Sequence, residues 1–523
     1  MTPGNTSNLS IETGAGSIAR HELGVTASRV SFYLSTRALL VLVFLILIFT
    51  LAARQVADPD FWWHLKTGQY ICETRSIPHT DIFSNGFAGK EWITHEWLSE
   101  VFIYLVYRAA GFGGLMVTFA LLICAACAIA YRQCAKWAAH PYVAGGALVL
   151  GALAAAPTWG VRPQIFTFLL ASVFLSLLDE FREDPRRRSI WWSIPLMVLW
   201  VNLHAGFAVG LALILLTMAG MVLERLLTPD KSISFPWQPL RTLGLVLLAC
   251  VAVVTLNPNG LRMYSYPFET LTSRAMMRYI EEWHSPDFHE PMFLPLAFLF
   301  LAVFASLALS KKRIGIGSLV LLLATGFGAL RSGRNVSFFV LVAMPLLAEH
   351  SWDWLTAQQW GKWLTLPEKS EAAGKAVLKV VLNVLLLICA PLAIASLRVQ
   401  RNVATQVSNE AQQYPAAAVD FLRTQQLPPP LYNEYGWGGY LIWKLTPSYR
   451  VHIDGRADVY GDAFMEEFLN THEGEVGWQE SLDKHQVRTV LIKPDCALAS
   501  LLRQDQSWQK VFEDNQSVIF TRR

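Results

Sequence analysis

The chain has 523 residues, of which 53% are hydrophobic and only 16% charged, with 19 tryptophans and a mean hydropathy of +0.34. That composition excludes an ordinary soluble domain and a disordered chain and belongs to polytopic membrane proteins. The formal net charge of +3 does not signal a nucleic-acid partner, because Lys and Arg are dispersed in short loops between apolar runs, as positive-inside topology requires.

About 37 mostly polar residues precede the first apolar run, too long a lead for an ordinary signal peptide. We read residues 1–37 as a cytoplasmic segment and the run after it as a retained signal anchor. With about 15 to 20 apolar residues taken as a span, runs occur at 38–53, 112–131, 142–156, 164–178, 190–203, 205–223, 240–256, 291–309, 315–330, 335–348 and 376–398. The pattern predicts about eleven transmembrane helices over 38–398, with a large first external loop at 54–111. Within that loop His95–Gly111 is amphipathic and carries Glu96, Glu100 and Arg108, so it is assigned to the membrane interface rather than to a span.

Charge supports this count. With the N-terminus inside, Arg132 and Lys136, "FREDPRRRS", "ERLLTPDKS", Lys311–Arg313 and the group Lys362, Lys369 and Lys375 all fall on the cytoplasmic side. "DPDFWWHLKTGQY", "PHTDIFS", "THEW", "TWGVRPQ", "VNLHAG", "NPNG" through "EEWHSPDFHE", and "RSGRN" all fall on the other. Polar clusters gathered on one face of an apolar bundle point to a single chamber opening outward. The seven cysteines show no metal-ligand spacing, and Cys124 and Cys127 read as helix packing.

Residues 400–523 change character to an extracytoplasmic α/β domain. Its expected order is helix "AAAVDFLRTQ", strand "LYNEY", helix "GGYLIWKL", strand "RVHIDG", helix "DAFMEEFL", helix "SLDKHQ", strand "RTVLI", helix "ALASLLRQ" and a hairpin turning at Asp514-Asn515.

In "DPDFWWHLKTGQY", Pro59 keeps Asp58 out of a helix, and Asp60 is placed to cap the helix starting at Phe61. One cap needs one carboxylate, which leaves Asp58 for chemistry. The pair is read as catalytic, one carboxylate serving as general base, or as ligands of a divalent cation such as Mg or Mn. Trp62, Trp63 and Tyr70 are expected in an interfacial aromatic belt. His64 and Glu96 are candidate substrate ligands, as is His204 between two helices. Arg331 and Arg334, with Arg162 from another loop, form a candidate phosphate clamp, since guanidinium binds phosphate bidentately.

An acidic pair just after the first helix, a bundle of about eleven spans, arginines in a late external loop and a C-terminal α/β domain together resemble the GT-C superfamily of membrane glycosyltransferases. The opening "DPDFWWHLKTGQYICETRSIPHTDIFS" through "WITHEW" is similar to that of bacterial GT-C-like proteins. The resemblance implies a polyprenyl-phosphate-linked sugar donor, a glycan, lipid or protein acceptor, membrane lipid around the protein, and work at the outer face of a bacterial cytoplasmic membrane. It also implies inversion at the anomeric carbon. The stretch 432–461 is similar to the aromatic and acidic region of oligosaccharyltransferase catalytic subunits, which adds Trp437 and Asp454 as acceptor-side candidates. The alternatives are a transporter or flippase of a lipid-linked or anionic solute, and a catalytically silent GT-C-like scaffold.

Overall fold

A computed structural model describes residues 36–138, 140–227, 237–358 and 373–523. The N-terminal segment 1–35, part of "ERLLTPDKS", and Lys362 and Lys369 lie outside the described residues. The chain is mostly helical, with one small sheet near its C-terminus. Each of the eleven apolar runs falls on helix. Among the described residues, six helices are long and apolar enough to cross a membrane: those lying in Trp97–Trp137, Pro141–Thr158, Gln164–Glu183, Phe207–Leu227, Trp237–Leu256 and Pro291–Leu309. Leu40–Ala52 and Ile316–Arg331 are apolar but shorter.

The first span α1 (Thr36–Ala52) leads through Asp58 into α2 (Phe61–Thr74), and the first loop then returns to α3 (Trp97–Trp137). Gly111 breaks α3 with φ +59°, ψ −155°, a conformation that favours glycine, so the amphipathic segment before it and the apolar span after it are two helices at an angle. At one end of the bundle Lys136 pairs with Asp179 and Glu183 at 2.9 and 2.5 Å. Lys136 and Lys312 both lie over the Trp137 ring, which brings two of the basic loops together there.

The sheet has the order β1-β2-β4-β3, from β1 (Leu431–Asn433), β2 (Thr489–Ile492), β3 (Trp508–Glu513) and β4 (Val518–Arg522). β1 runs parallel to β2, and the other pairs are antiparallel. The hairpin turns where expected, closed by the Asp514 carboxylate accepting from the amides of Gln516 and Ser517 at 2.9 and 2.7 Å. The stretch "RVHIDG" does not become a strand of this sheet. Val451 instead bridges in parallel to Ser84 of the first loop, with Asn85 N donating to Val451 O at 2.8 Å and Val451 N to Phe83 O at 3.0 Å.

That junction is locked by a buried charge cluster. The Arg456 side chain is 1% exposed and donates to both carboxylate oxygens of Asp454 at 2.8 and 2.7 Å and to Asp81 at 2.7 Å. Tyr460 OH completes Asp454 at 2.5 Å, and the guanidinium lies 4.5 Å from the Trp92 ring centre. Burial alone would raise the Asp81 pKa, but Arg456 and the Ser84 hydroxyl hold it below the usual carboxylate range.

Beside the cluster, Trp62 makes edge contacts with Phe112, Tyr414 and Tyr440. Trp62 and Trp63 are 1% and 6% exposed, so they are packing residues between the first loop and the C-terminal segment, not an aromatic belt facing lipid. Because Arg456→Met leaves two carboxylates buried without a counter-ion, we expect it to cost about 3–5 kcal/mol. The thermal unfolding midpoint of the purified protein measures this, and an unchanged midpoint would show that the cluster does not hold the junction.

Candidate functional site

The two aspartates divide their work in the opposite way from the sequence expectation. Asp60 stands at the N-cap position of α2, but its backbone is already helical (φ −73°, ψ −21°) and its side chain makes no capping bond. A capping side chain needs an extended N-cap backbone to reach back to the first-turn amides. Asp58 supplies the local turn instead, its Oδ1 accepting from the Asp60 amide at 3.0 Å. Its Oδ2 ion-pairs with Nε of Arg162. Asp58 is therefore the carboxylate held in an ion pair, whereas Asp60 makes none, faces Trp63 and lines the adjoining cavity.

That space is a cavity of about 320 Å³ between the bundle and the C-terminal segment. The wall nearest Asp60 includes Gly455, where an added Cβ would lie 1.7 Å from Asp60 Oδ1. Only glycine lets the C-terminal backbone close over this carboxylate. Arg162 reaches the cavity from the turn before the Gln164–Glu183 helix and contacts Glu282 through its Nη1. Glu282 in turn faces Nε of Arg334 at 3.6 Å, and the Arg334 guanidinium sits 4.9 Å from the Trp283 ring centre. Asp58, Arg162, Glu282 and Arg334 thus form a chain of alternating charge along one wall.

A second group lies deeper. Glu96 faces His64 Nδ1 at 3.7 Å and His95 Nε2 at 3.6 Å, and His64 Nδ1 is 3.4 Å from Oε1 of the fully buried Glu100. Tyr266 donates to Asp458 at 3.4 Å and its ring lies tilted against that of His95, with centroids 4.4 Å apart. His204 is satisfied at Nδ1, which accepts from Thr167 Oγ1 and the Gly206 amide at 2.9 and 3.0 Å, so its other nitrogen carries the proton.

Burial dominates the electrostatics. It raises Asp60 to about 7, with the Asp58 carboxylate adding to the effect and Arg162 opposing it. It raises Glu96 to about 8 and Asp458 to about 6. The same burial keeps His95 neutral, with its pKa down to about 4, and pushes His64 well below the usual histidine value. Burial disfavours the Arg162 charge as well, but Asp58 and Glu282 more than compensate and raise its pKa. The cavity consequently presents neutral imidazoles and carboxyls that titrate near neutrality beside two permanent cations.

Of the residues singled out from sequence, Asp60, His64, Glu96, Arg162, His204 and Arg334 line the cavity, and Asp58 stands behind Arg162. Three do not. Arg331 is exposed at the end of the Ile316–Arg331 helix, because the turn before Arg334 rotates it off the cavity side. Trp437 is 5% exposed and its indole donates to Gln413 O at 3.1 Å, so it is a core residue. Asp454 is fully buried and committed to Arg456.

The lining residues that were missed include His95, Glu100, Tyr266, Glu282 and Asp458. Glu100 lies four residues beyond Glu96, a helical spacing that was a usable signal. Asp458 lies four residues beyond Asp454 in the same stretch, where spacing could not say which faces inward.

Nor does the pair Asp58 and Asp60 fit a divalent cation, since Asp58 is turned to a guanidinium. Among the described residues no three His, Cys, Asp or Glu side chains are grouped to hold a metal ion.

No family model and no curated protein matches the chain. Among solved structures, it is similar to the archaeal oligosaccharyltransferase AglB from Archaeoglobus fulgidus in complex with an inhibitory peptide and a dolichol-phosphate. The TM-score is 0.51 at 12% identity, over 87% of this chain and 69% of that one. It is also similar to the arabinofuranosyltransferase AftD from Mycobacteria, with a TM-score of 0.50 at 12% identity, over 93% of this chain and 39% of that one. ArnT from Cupriavidus metallidurans bound to undecaprenyl phosphate gives 0.48 at 16% identity, over 94% and 98%. At such identities the likeness is one of fold alone, shared with the oligosaccharyltransferase and the arabinofuranosyltransferase.

Proposed function

We propose that the protein is a membrane glycosyltransferase that moves a sugar from a polyprenyl-phosphate donor to an acceptor hydroxyl. One observation carries the reading: the Asp60 carboxylate, which makes no ion pair of its own, lines a cavity whose adjoining wall holds the guanidiniums of Arg162 and Arg334. A base beside a cationic anion site is what displacement of a phosphate from a sugar needs. The GT-C fold and the dolichol-phosphate in the similar oligosaccharyltransferase support the donor class.

In this reading the acceptor oxygen bonds to the anomeric carbon as the bond from that carbon to the donor phosphate oxygen breaks. The phosphate leaves with the electron pair, Asp60 takes the hydroxyl proton, and attack from the opposite side inverts the anomeric centre. Arg162 and Arg334 stabilise the charge that grows on the phosphate, in a site already organised for it. Asp58 acts through Arg162 and through the Asp60 amide, as a positioning residue. His64, Glu96, His204 and Asp458 are placed to hold sugar or acceptor hydroxyls. We further place the cavity at the outer face of a bacterial cytoplasmic membrane, with residues 1–37 cytoplasmic, 38–398 in the membrane domain and 400–523 outside as an α/β domain closing the cavity.

Incubation of the purified protein with a panel of labelled polyprenyl-phosphate sugars tests this. Asp60→Asn should lower transfer by about 10²–10⁴-fold, the usual worth of a positioned base. Asp58→Asn keeps the base and should act mainly by raising the donor KM. Transfer at the native rate by Asp60→Asn would remove the catalytic assignment, and solute flux into liposomes without transfer would replace the reading with transport.

The pH profile follows from the sign of the Asp60 shift. Its proton is retained up to about pH 7, so the base form grows as pH rises through that value. We expect kcat/KM to climb with a midpoint near 7, and the climb to vanish in Asp60→Asn. A profile flat between pH 5 and 8, about the range spanning that midpoint, would contradict Asp60 as the base.

A further inference from the structure

A carboxylate stands within the anion site of the cavity. Glu282 places its carboxylate against Nη1 of Arg162 and 3.6 Å from Nε of Arg334, between the two guanidiniums assigned above to the donor phosphate. Its main chain is tied to the arginine loop: Ser332 Oγ donates to Glu282 O at 2.9 Å, and the Gly333 amide to His284 O at 3.0 Å. Its side chain is 36% exposed and lines the cavity. The backbone is thus fixed while the carboxylate, on its own torsions, can rotate away. Asp58 on the far side of Arg162 has no such freedom, being held by the Asp60 amide as well.

Charge makes the arrangement selective. Along this wall the two arginines and the two carboxylates, Asp58 and Glu282, cancel. With Glu282 turned away, the wall itself carries one positive charge, which matches the single negative charge of a phosphodiester. The monoester left after transfer carries about −1.5 to −2 at neutral pH and exceeds it. A carboxylate returning to the arginines then competes with the product.

We propose that Glu282 is a specificity-determining competitor in the phosphate subsite: its carboxylate holds the place between Arg162 and Arg334 that the donor phosphate takes, and it sets how tightly the site grips phosphate in each charge state. This rests on the phosphate-site reading above. Glu282 is not a base or a nucleophile here, and no bond is made to it.

The test is a binding titration of the full-length protein in lipid nanodiscs with two probes, a short-chain prenyl monophosphate and inorganic phosphate. Glu282→Gln keeps the shape and removes the competing charge, so both probes should bind about tenfold tighter or more, the scale of one charge-assisted contact. Arg334→Ala should bind both more weakly. If Glu282→Gln binds no tighter than native while Arg334→Ala still weakens binding, Glu282 merely orients the arginines and the proposal is overturned. If Arg162→Ala and Arg334→Ala bind both probes as the native protein does, the phosphate-site reading itself has failed. Thermal midpoints of the three variants separate a lost site from a lost fold.

Discussion

The cavity exists because one guanidinium is buried between two carboxylates that are far apart in the chain. Arg456 joins Asp454, its near neighbour, to Asp81 of the first loop, with both acids fully buried. A buried ion cluster of this kind adds little net stability over an apolar replacement, yet breaking one partner is costly. Its value is geometric. It fixes the register in which Val451 pairs with Ser84, and that register brings Gly455, Arg456, Ala457 and Asp458 to the cavity wall.

Everything at the candidate site depends on this closure. The membrane-end loops contribute Arg162, His204 and Arg334, the first loop contributes Asp60, His64 and Glu96, and the C-terminal segment completes the enclosure. Enclosure is also what perturbs the titrating groups. Asp60 and Glu96 rise chiefly because water is excluded from their surroundings, with neighbouring charges secondary. A carboxyl that titrates near neutrality therefore follows from the packing of Gly455 against Asp60 as much as from the aspartate itself.

The wall of alternating charge shows how the same residues serve two ends. Asp58 and Glu282 keep two arginines charged and oriented in a low-dielectric site. They also reduce the net field that an incoming anion meets. Strong anion binding and easy release of an anionic product oppose each other, and a carboxylate on a rotatable side chain is one physical compromise between them.

Much of this was readable in the sequence, for identifiable reasons. Apolar runs of spanning length can only be helices in a bilayer, so every run found its helix, although how many cross the membrane depends on their lengths. Period and turn chemistry marked the hairpin at Asp514 and the helices Ala416–Gln425, Gly438–Leu445 and Ala497–Gln504. Parity predicted polar loops gathered at one end, and Asp60, His64, Glu96, Arg162, His204 and Arg334 from those loops line one cavity. Facing was not readable. Whether Asp58 or Asp60 points inward turned on the helical rather than extended backbone of Asp60 at the start of α2, and whether Asp454 or Asp458 does turned on which acid Arg456 claimed. Trp62 and Trp63 went to a protein junction because a segment nearly 400 positions away folds over them. Composition and periodicity determined the solvent, the elements and the end of the bundle where chemistry gathers. Only the tertiary structure decided the partners, because a carboxylate's role is set by the one cation or amide within about 3 Å of it, and that neighbour came from another part of the chain.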